Sequence, residues 1–436
     1  MTTARTEAPH VADVDKRLQR KSLLAMSVGN TLEWYDWTVY TVASVYIAAA
    51  LFESGDPLSA LLQTLAVFAI GFLARPLGGI VFGRIADRRG RRAVLITTML
   101  LMAAGSVVIG LTPSFEAIGP LASLLLLVAR LIQGFAHGGE STTSYAYIAE
   151  IAPPRRRGLW SSAVFVAVGT GSLIATGFLA ALTAALDTDA MNEWGWRVPF
   201  LIGGALAVVA LFLRRGMVES ADHATTDDPE ASTVTQATWS SRKIVVEGIR
   251  LFFVEAGATV TYYTWVTSAA VYAIGIVGMH PADAFMMSAI AQVVYVLALP
   301  LLGHLSDIFG RRALVLVSLV GIAVTVFPLW GLITTEPWTL LVAQGIGLLL
   351  VGCITGSKPA AISEQIPNRY RTRVFGVSIS LGVALFGGTA SYLSTWLYGI
   401  GLGWVFNVYV IVLALVASAI VLTWRRNTGV PLSEVV

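Results

Sequence analysis

The sequence predicts an all-α membrane protein of twelve transmembrane helices, arranged as two pseudo-symmetric six-helix bundles. Three observations carry that expectation. The chain is 56% hydrophobic and 13% charged with a mean hydropathy of +0.74, a composition foreign to soluble domains. A charged decapeptide, Gly83-Arg-Ile-Ala-Asp87-Arg-Arg-Gly90-Arg91-Arg92, returns 220 positions later as Gly303-His-Leu-Ser-Asp307-Ile-Phe-Gly310-Arg311-Arg312, each time between long apolar runs. A repeat at fixed spacing marks equivalent halves, with a short charged turn joining two helices in each. The third observation is the placement of the basic residues along the chain.

A helix needs about 20 residues to cross a ~30 Å hydrocarbon core. Runs of that kind cover 22–52, 58–82, 93–112, 118–148, 159–186, 197–214, 244–277, 281–302, 313–333, 337–360, 374–398 and 402–424. With the N-terminus in the cytoplasm, alternate loops should hold the Lys and Arg residues. The 29 basic residues obey this rule except Arg197, which falls on the outer side, and Arg75, Arg130, Arg250 and Lys358, which fall within spans. Both termini are therefore expected inside. Residues 1–21 read as a cytoplasmic tail, because their basic end runs into the first span without a small-residue cleavage site. The polar stretch 215–243, rich in Ser, Thr, Asp and Glu, reads as a cytoplasmic linker between a bundle over 22–214 and another over 244–424, with 425–436 as a second tail. The site is expected between the bundles, near the midplane.

Several function classes drop out. The net charge of +3 is scattered over loops instead of forming a basic face, so no nucleic-acid partner is expected. One cysteine, Cys353, permits no intramolecular disulfide. Neither H-E-x-x-H nor G-x-S-x-G occurs, and no Cys/His cluster, so the chain does not read as an enzyme or a cofactor binder. The partners expected are a small-molecule substrate, protons and membrane lipid, with the chain as a monomer.

Charge inside the spans points to the chemistry, since an ionisable group at bilayer depth costs at least ~2.5–3.5 kcal/mol. In the first span Glu33 and Asp36 stand at i, i+3, with Tyr40 continuing the face and Tyr35 beside them, both tyrosines being candidate substrate contacts. Counted from Lys21 at a 1.5 Å rise, the carboxylates lie roughly 18 and 22 Å deep. Two close carboxylates in low dielectric cannot both ionise at ease, which suits one to carry a proton; the plainer reading pairs both with arginines on neighbouring helices. Arg75, in the second span, is close enough in height to reach Glu33 and serves either as a clamp on a carboxylate substrate or as an internal counter-ion. The fourth span carries Arg130, Gln133, His137 and Glu140 in one row, a donor, an amide, an imidazole and a carboxylate that read as a cavity wall able to hold an anion and relay a proton. His137 taken alone is also compatible with a neutral, hydrogen-bonded histidine.

The second half holds less. Glu255 falls near mid-depth and is a further candidate for proton coupling, Tyr262, Tyr263 and Trp265 follow it, and Arg250 and Lys358 lie where a long side chain can snorkel to the cytoplasmic surface. Charge chemistry is therefore expected in the first bundle and aromatic contacts, Tyr263 among them, in the second. At the inner face Asp87 with Arg91 and Arg92, Glu150 with Arg157, and the repeated Asp307 with Arg311 place opposite charges together. They are candidates for a latch between bundles, although single surface pairs are worth only ~0–1 kcal/mol.

G-x-x-x-D-x-x-G-R-R, present twice, resembles the signature of the major facilitator superfamily. Gly29-Asn30-x-x-Glu33-Trp34-Tyr35-Asp36, Gly71-Phe-Leu-x-Arg75-Pro76, Ala129-Arg130-Leu-x-Gln133-Gly-x-x-x-Gly138-Gly139-Glu140 and Glu193-Trp194-Gly195-Trp196-Arg197-x-Pro199-Phe200 further resemble its metabolite:proton symporter family. The resemblance implies proton-driven uptake across a bacterial inner membrane, with dicarboxylates, tricarboxylates, shikimate-like acids, proline or betaine as substrates. It also marks Arg75 and Arg197 as substrate contacts, while Arg197 at the outer face is open to a structural role. His137, Glu255 and Lys358 depart from the pattern of the dicarboxylate members. Drug exporters of this class carry Gly-Pro-Gly in the fifth span; Ala167-Val-Gly169-Thr-Gly171 has no proline, which leaves export the weaker reading. A transporter-like sensor that binds without moving its ligand is a further alternative.

Overall fold

The computed structural model describes residues 16–53, 55–89, 91–138, 145, 148–215 and 239–435. Twelve helices run back and forth through it. In the first half these are α1 (Lys16–Val42 and, past a bend at Ala43, Ser44–Leu51), α2 (Pro57–Leu73 and Arg75–Arg89), α3 (Arg91–Leu111), α4 (Pro120–His137), α5 (Arg157–Ala185) and α6 (Val198–Arg215). The second half holds α7 (Ser241–Tyr263, continuing to Val277), α8 (Pro281–Phe309), α9 (Arg311–Leu332), α10 (Pro337–Thr355 and Lys358–Ser363), α11 (Asn368–Gly382, continuing to Gly399) and α12 (Gly403–Val421). Eight of them are long and apolar enough to cross a membrane on composition alone. The other four are α1 and α7, which carry the buried carboxylates Glu33, Asp36 and Glu255, and α3 and α6, whose apolar stretches are shorter.

The repeated decapeptide differs from the turn expected of it. Its residues up to Arg89 and Phe309 continue α2 and α8, because nothing in them breaks a helix. In the second copy the chain turns at Gly310, whose φ of 92° lies where a side chain would strain the backbone.

Small residues set how closely the helices approach, as expected where no aqueous hydrophobic effect drives them together. A Cβ on Gly134 of α4 would stand 1.8 Å from the Gly71 carbonyl of α2, and one on Gly138 would stand 1.9 Å from the Arg75 carbonyl. That contact brings Arg75 to the same level as the row on α4. Pro76 lacks the N–H that an unbroken helix would use, and the helical hydrogen-bond pattern of α2 is interrupted at Ala74, just before Arg75. Between bundles, α5 lies along α8, and Pro57–Leu73 of α2 lies along Gly388–Gly399 of α11. Two helices of the second bundle contain π turns, Thr264–Ser268 and Ala273–Val277 in α7 and Val383–Gly387 in α11. Such turns displace the helix face and recur at functional sites; here one follows Tyr263 and another begins at Val383, both on the wall of the central hollow.

Candidate substrate and proton site

Two arginines meet over one indole. The Arg75 guanidinium lies 4.1 Å from the Trp37 ring centre and 4.0 Å from that of Phe72, and the Arg130 guanidinium lies 4.3 Å from Trp37 and 4.0 Å from Tyr40. Arg130 donates through Nη1 to Gln133 Oε1 at 2.8 Å, and Gln133 Nε2 in turn donates to Asp36 Oδ2 at 2.8 Å. Ser106 closes the group, its hydroxyl donating to Asp36 Oδ1. Arg130 and Asp36 are thus joined through an amide instead of touching. Nε and Nη2 of both arginines are buried and have no hydrogen-bond partner among the described residues. A buried guanidinium with idle donors is costly, and a carboxylate is the group that satisfies it best.

Glu33 and Asp36, predicted to act on one face, part company. Glu33 pairs with His137 Nδ1, whereas Asp36 turns toward Ser106 and Gln133. Both border a narrow hollow of about 430 Å³ between α1, α3 and α6, with Gly29, Met99 and Gly203.

The larger hollow, about 680 Å³, lies between the bundles and is lined by Trp34, Arg75, Tyr145, Glu255, Tyr263 and Lys358, among others. The expectation that the α4 row forms its wall requires correction. Arg130, Gln133 and His137 are almost wholly buried, and none of them borders this space. The rings of Trp37 and Tyr40 cover Arg130, and Gln133 is drawn toward α1 and α3. Only Arg75 of the two arginines reaches the hollow. Glu140 lies outside the described residues, as do the side chains of Asp87, Arg91 and Arg92.

Other expected contacts lie elsewhere. The Tyr35 hydroxyl donates to the Pro199 carbonyl at 2.9 Å, tying α1 to α6, and the Tyr40 hydroxyl donates to the Thr64 carbonyl at 2.8 Å. Arg197 donates to the carbonyls of Thr112 and Gly110, the latter at 3.2 Å, and so fastens α6 to the end of α3, bordering neither hollow. Tyr263 does face the larger hollow, packed on Phe72 with ring centres 5.5 Å apart.

The second bundle is richer in charge than expected. Lys358 does not snorkel: its side chain is 10% exposed, and its Nζ donates to Glu255 Oε1 at 2.6 Å. The cause is local. α10 breaks at Gly356 and Ser357, and Lys358 opens the next helical segment facing inward. Arg250, by contrast, is about one-third exposed and pairs with Glu247 at 2.8 Å. Lys358 is 220 positions from Gly138, and both border the hollow, so the internal repeat was the signal that could have found it.

Where the loops are basic, the bundles are tied by charge, with partners other than those expected. Arg157 pairs with Glu364 at 2.7 Å and Glu150 with Arg371 at 3.1 Å, so the predicted Glu150 to Arg157 pair is replaced by two pairs that cross between bundles. Asp307 accepts from the N–H groups of Gly158 and Leu159 at 2.9 and 3.0 Å, at the start of α5, and pairs with Arg311 at 2.7 Å. Burial pushes the Glu364 carboxyl above the ordinary carboxylate range, outweighing the opposite pull of Arg311 and Arg157.

Two helical bundles enclosing a central hollow with a buried guanidinium on its wall have the architecture of a membrane transporter. Family comparison agrees: residues 22–222 match the family described as sugar (and other) transporter, and residues 256–434 match the major facilitator superfamily. Alpha-ketoglutarate permease of Escherichia coli (strain K12) is 36% identical over 415 residues, 95% of each chain. A putative proline/betaine transporter of Staphylococcus aureus (strain MSSA476) is 31% identical over 88% of this chain and 83% of its own, and a citrate-proton symporter of Klebsiella pneumoniae is 31% identical over 86% and 84%. A crystal structure of a D-xylose-proton symporter superposes with a TM-score of 0.71 at 20% identity, over 94% of this chain and 99% of that one, which establishes the shared fold. The chain belongs to the major facilitator superfamily and, within it, to the metabolite:proton symporters; it is a multi-pass membrane transporter and not an enzyme.

Proposed function

We propose that this protein imports a small organic acid, a dicarboxylate or related carboxylate, together with protons across the bacterial inner membrane by alternating access, with both termini and the basic loops in the cytoplasm. The observation that carries the reading is the pair of buried guanidiniums with idle donors, one of them on the wall of the central hollow. Arg75 binds the incoming carboxylate, and Arg130 holds the level of charge behind it. The proton locus is the cluster of Asp36, Ser106 and Gln133, beside the Glu33 to His137 pair. An anion drawn to Arg75 weakens the hold of the arginines on the nearby carboxylates, and a proton on Asp36 or on the Glu33 to His137 pair then removes a charge that would hinder closure. The permease and citrate relatives support an acid substrate; the proline/betaine relative supports a zwitterion, whose carboxylate Arg75 would also hold.

Uptake of radiolabelled 2-oxoglutarate, citrate and betaine into proteoliposomes, with and without an acid-outside gradient, tests the proposal. Acid uptake that follows the gradient and is lost in Arg75→Gln is the expected result. Gradient-driven betaine uptake with neither acid transported would overturn it, and binding without uptake would favour a sensor.

A further inference from the structure

We propose that Lys358 and Glu255 form a second ligand subsite, in which Lys358 takes the far carboxylate of a two-headed acid and Glu255 takes a proton in the same step. The inference rests on the organic-acid reading above and deepens it. Both residues border the hollow that Arg75 borders, but from the opposite bundle. Glu255 is held by α7 on one side and by the room left at Gly382 of α11 on the other, where a Cβ would come 2.8 Å from Glu255 Cγ. Its Oε1 accepts from Lys358 at 2.6 Å and from the Thr259 hydroxyl at 2.9 Å. Lys358 Nζ lies 5.7 Å from the ring centres of both Tyr145 and Phe165, which belong to the first bundle. The ammonium therefore sits at the seam where the bundles face each other, within reach of whatever occupies the hollow.

The charge count gives the pair its role. With Lys358 bound to Glu255 the pair is neutral, and Arg75 leaves the wall with one net positive charge, enough for one carboxylate. A second carboxylate can be matched only by Lys358, which must leave Glu255 to meet it. A carboxylate that is 1% exposed and stripped of its cation is costly. A proton from solution on Glu255 removes that cost, and Thr259 continues to hold the protonated group. The charged and titratable groups facing Glu255 are Lys358 from α10, Arg75 from α2, Tyr145 from the first bundle, and Tyr262 and Tyr263 on its own helix. The tyrosine phenols are neutral at physiological pH, so among these groups only Lys358 and Arg75 bring a positive charge to it. Dianion and proton thus bind cooperatively, the coupling being the cost of leaving Glu255 charged and alone.

The test uses the full chain purified in detergent and two probes that differ by one carboxylate, 2-oxoglutarate and pyruvate, at pH 5.5 and 7.5. Wild type should bind 2-oxoglutarate at least about tenfold tighter at the lower pH. Glu255→Gln, which mimics the protonated acid and releases Lys358, should bind it at pH 7.5 nearly as tightly as wild type does at pH 5.5. Lys358→Met alone would leave a buried carboxylate unpaired and risks misfolding, so the informative partner is Glu255→Gln/Lys358→Met, which removes the pair together. In that variant 2-oxoglutarate should bind roughly tenfold or more weakly than in Glu255→Gln, while pyruvate affinity changes less than about twofold. Equal 2-oxoglutarate affinity in the single and double variants would overturn the subsite, as would an unchanged pH gap in Glu255→Gln. If wild type binds neither acid but binds betaine, the organic-acid reading fails first and the subsite falls with it.

Discussion

On the proposed topology, Asp307→Asn should loosen the cytoplasmic side of the transporter. Asp307 sits on α8 and accepts from two N–H groups in the first turn of α5, Gly158 at 2.9 Å and Leu159 at 3.0 Å, so a carboxylate of one bundle caps a long helix of the other. Its side chain is 4% exposed, and water screens the contact little. A hydrogen bond to a charged group is worth about 1.5–3 kcal/mol, and a carboxylate at a helix N-terminus adds about 0.3–1 kcal/mol. Asparagine keeps one acceptor oxygen and loses the charge, so the substitution removes about one such bond and most of the terminal attraction. The closed arrangement should lose about 2–4 kcal/mol, a shift of roughly thirty- to seven-hundredfold in favour of opening. Ser162 reports the opening: it is buried near the α5 to α8 seam, where a Cβ on Gly303 would come 3.0 Å from its own. With Ser162→Cys in a Cys353→Ala background, labelling of inside-out vesicles by a membrane-impermeant maleimide should speed up at least about thirtyfold when Asp307→Asn is added. Labelling at the unaltered rate, in protein of unchanged helix content, would refute the idea that Asp307 holds the bundles together.

Glu364 gives this latch a pH dependence. Its carboxyl is raised by burial in the closed face and returns toward the ordinary range once hydrated, so the closed face binds the proton more readily. Acid therefore favours closure, and the advantage is lost as cytoplasmic pH rises through the raised value; Ser162→Cys labelling, normalised to an exposed cysteine, should increase over that interval, and Glu364→Gln should flatten the response. Gly134→Ala tests the α2 to α4 contact, where the new methyl would meet the Gly71 carbonyl. Overpacking costs about 1–3 kcal/mol, so the melting temperature in detergent should fall and anion binding weaken as Arg75 shifts from Arg130.

The elements that depend on local pattern were legible in the sequence. Apolar run length gave the spans, and the repeat at Asp87 and Asp307 gave the two halves, because each is a property of consecutive residues. Partner choice was not legible. Glu33 and Asp36 share a helical face, yet one meets His137 and the other meets Gln133, since i, i+3 spacing fixes a direction and says nothing about which neighbour waits there. Glu150 and Arg157 are near in sequence but bind Arg371 and Glu364, each more than 200 positions away, because the bundles meet at that level. Lys358 departs from expectation for a different reason. Snorkelling follows from depth along a continuous helix, and the break at Gly356 and Ser357 turns the side chain toward the hollow.

Two proton loci in two bundles lead to a statement about net charge. If a dianion moves with one proton on Glu255 and another at the Asp36 or Glu33 to His137 locus, each turnover carries no charge and the membrane potential neither drives nor opposes it. In proteoliposomes, 2-oxoglutarate accumulation should then follow the pH gradient alone, at about 1.4 kcal/mol per proton per pH unit, and stay constant when valinomycin and potassium clamp the potential. Glu255→Gln deletes one proton from the cycle and leaves a net negative charge to be carried inward. Under a gradient of one pH unit that variant should lose about tenfold in accumulation at zero potential, the share of the deleted proton, and an inside-negative potential of 100 mV would oppose it by about a further 2.3 kcal/mol, roughly fiftyfold. Potential-sensitive uptake by the wild type would contradict the two-proton count, and a Glu255→Gln variant as indifferent to potential as the wild type would remove Glu255 from the proton path. The two measurements separate a second proton carrier from a residue that only positions Lys358, because positioning alters affinity and leaves the charge moved per turnover unchanged.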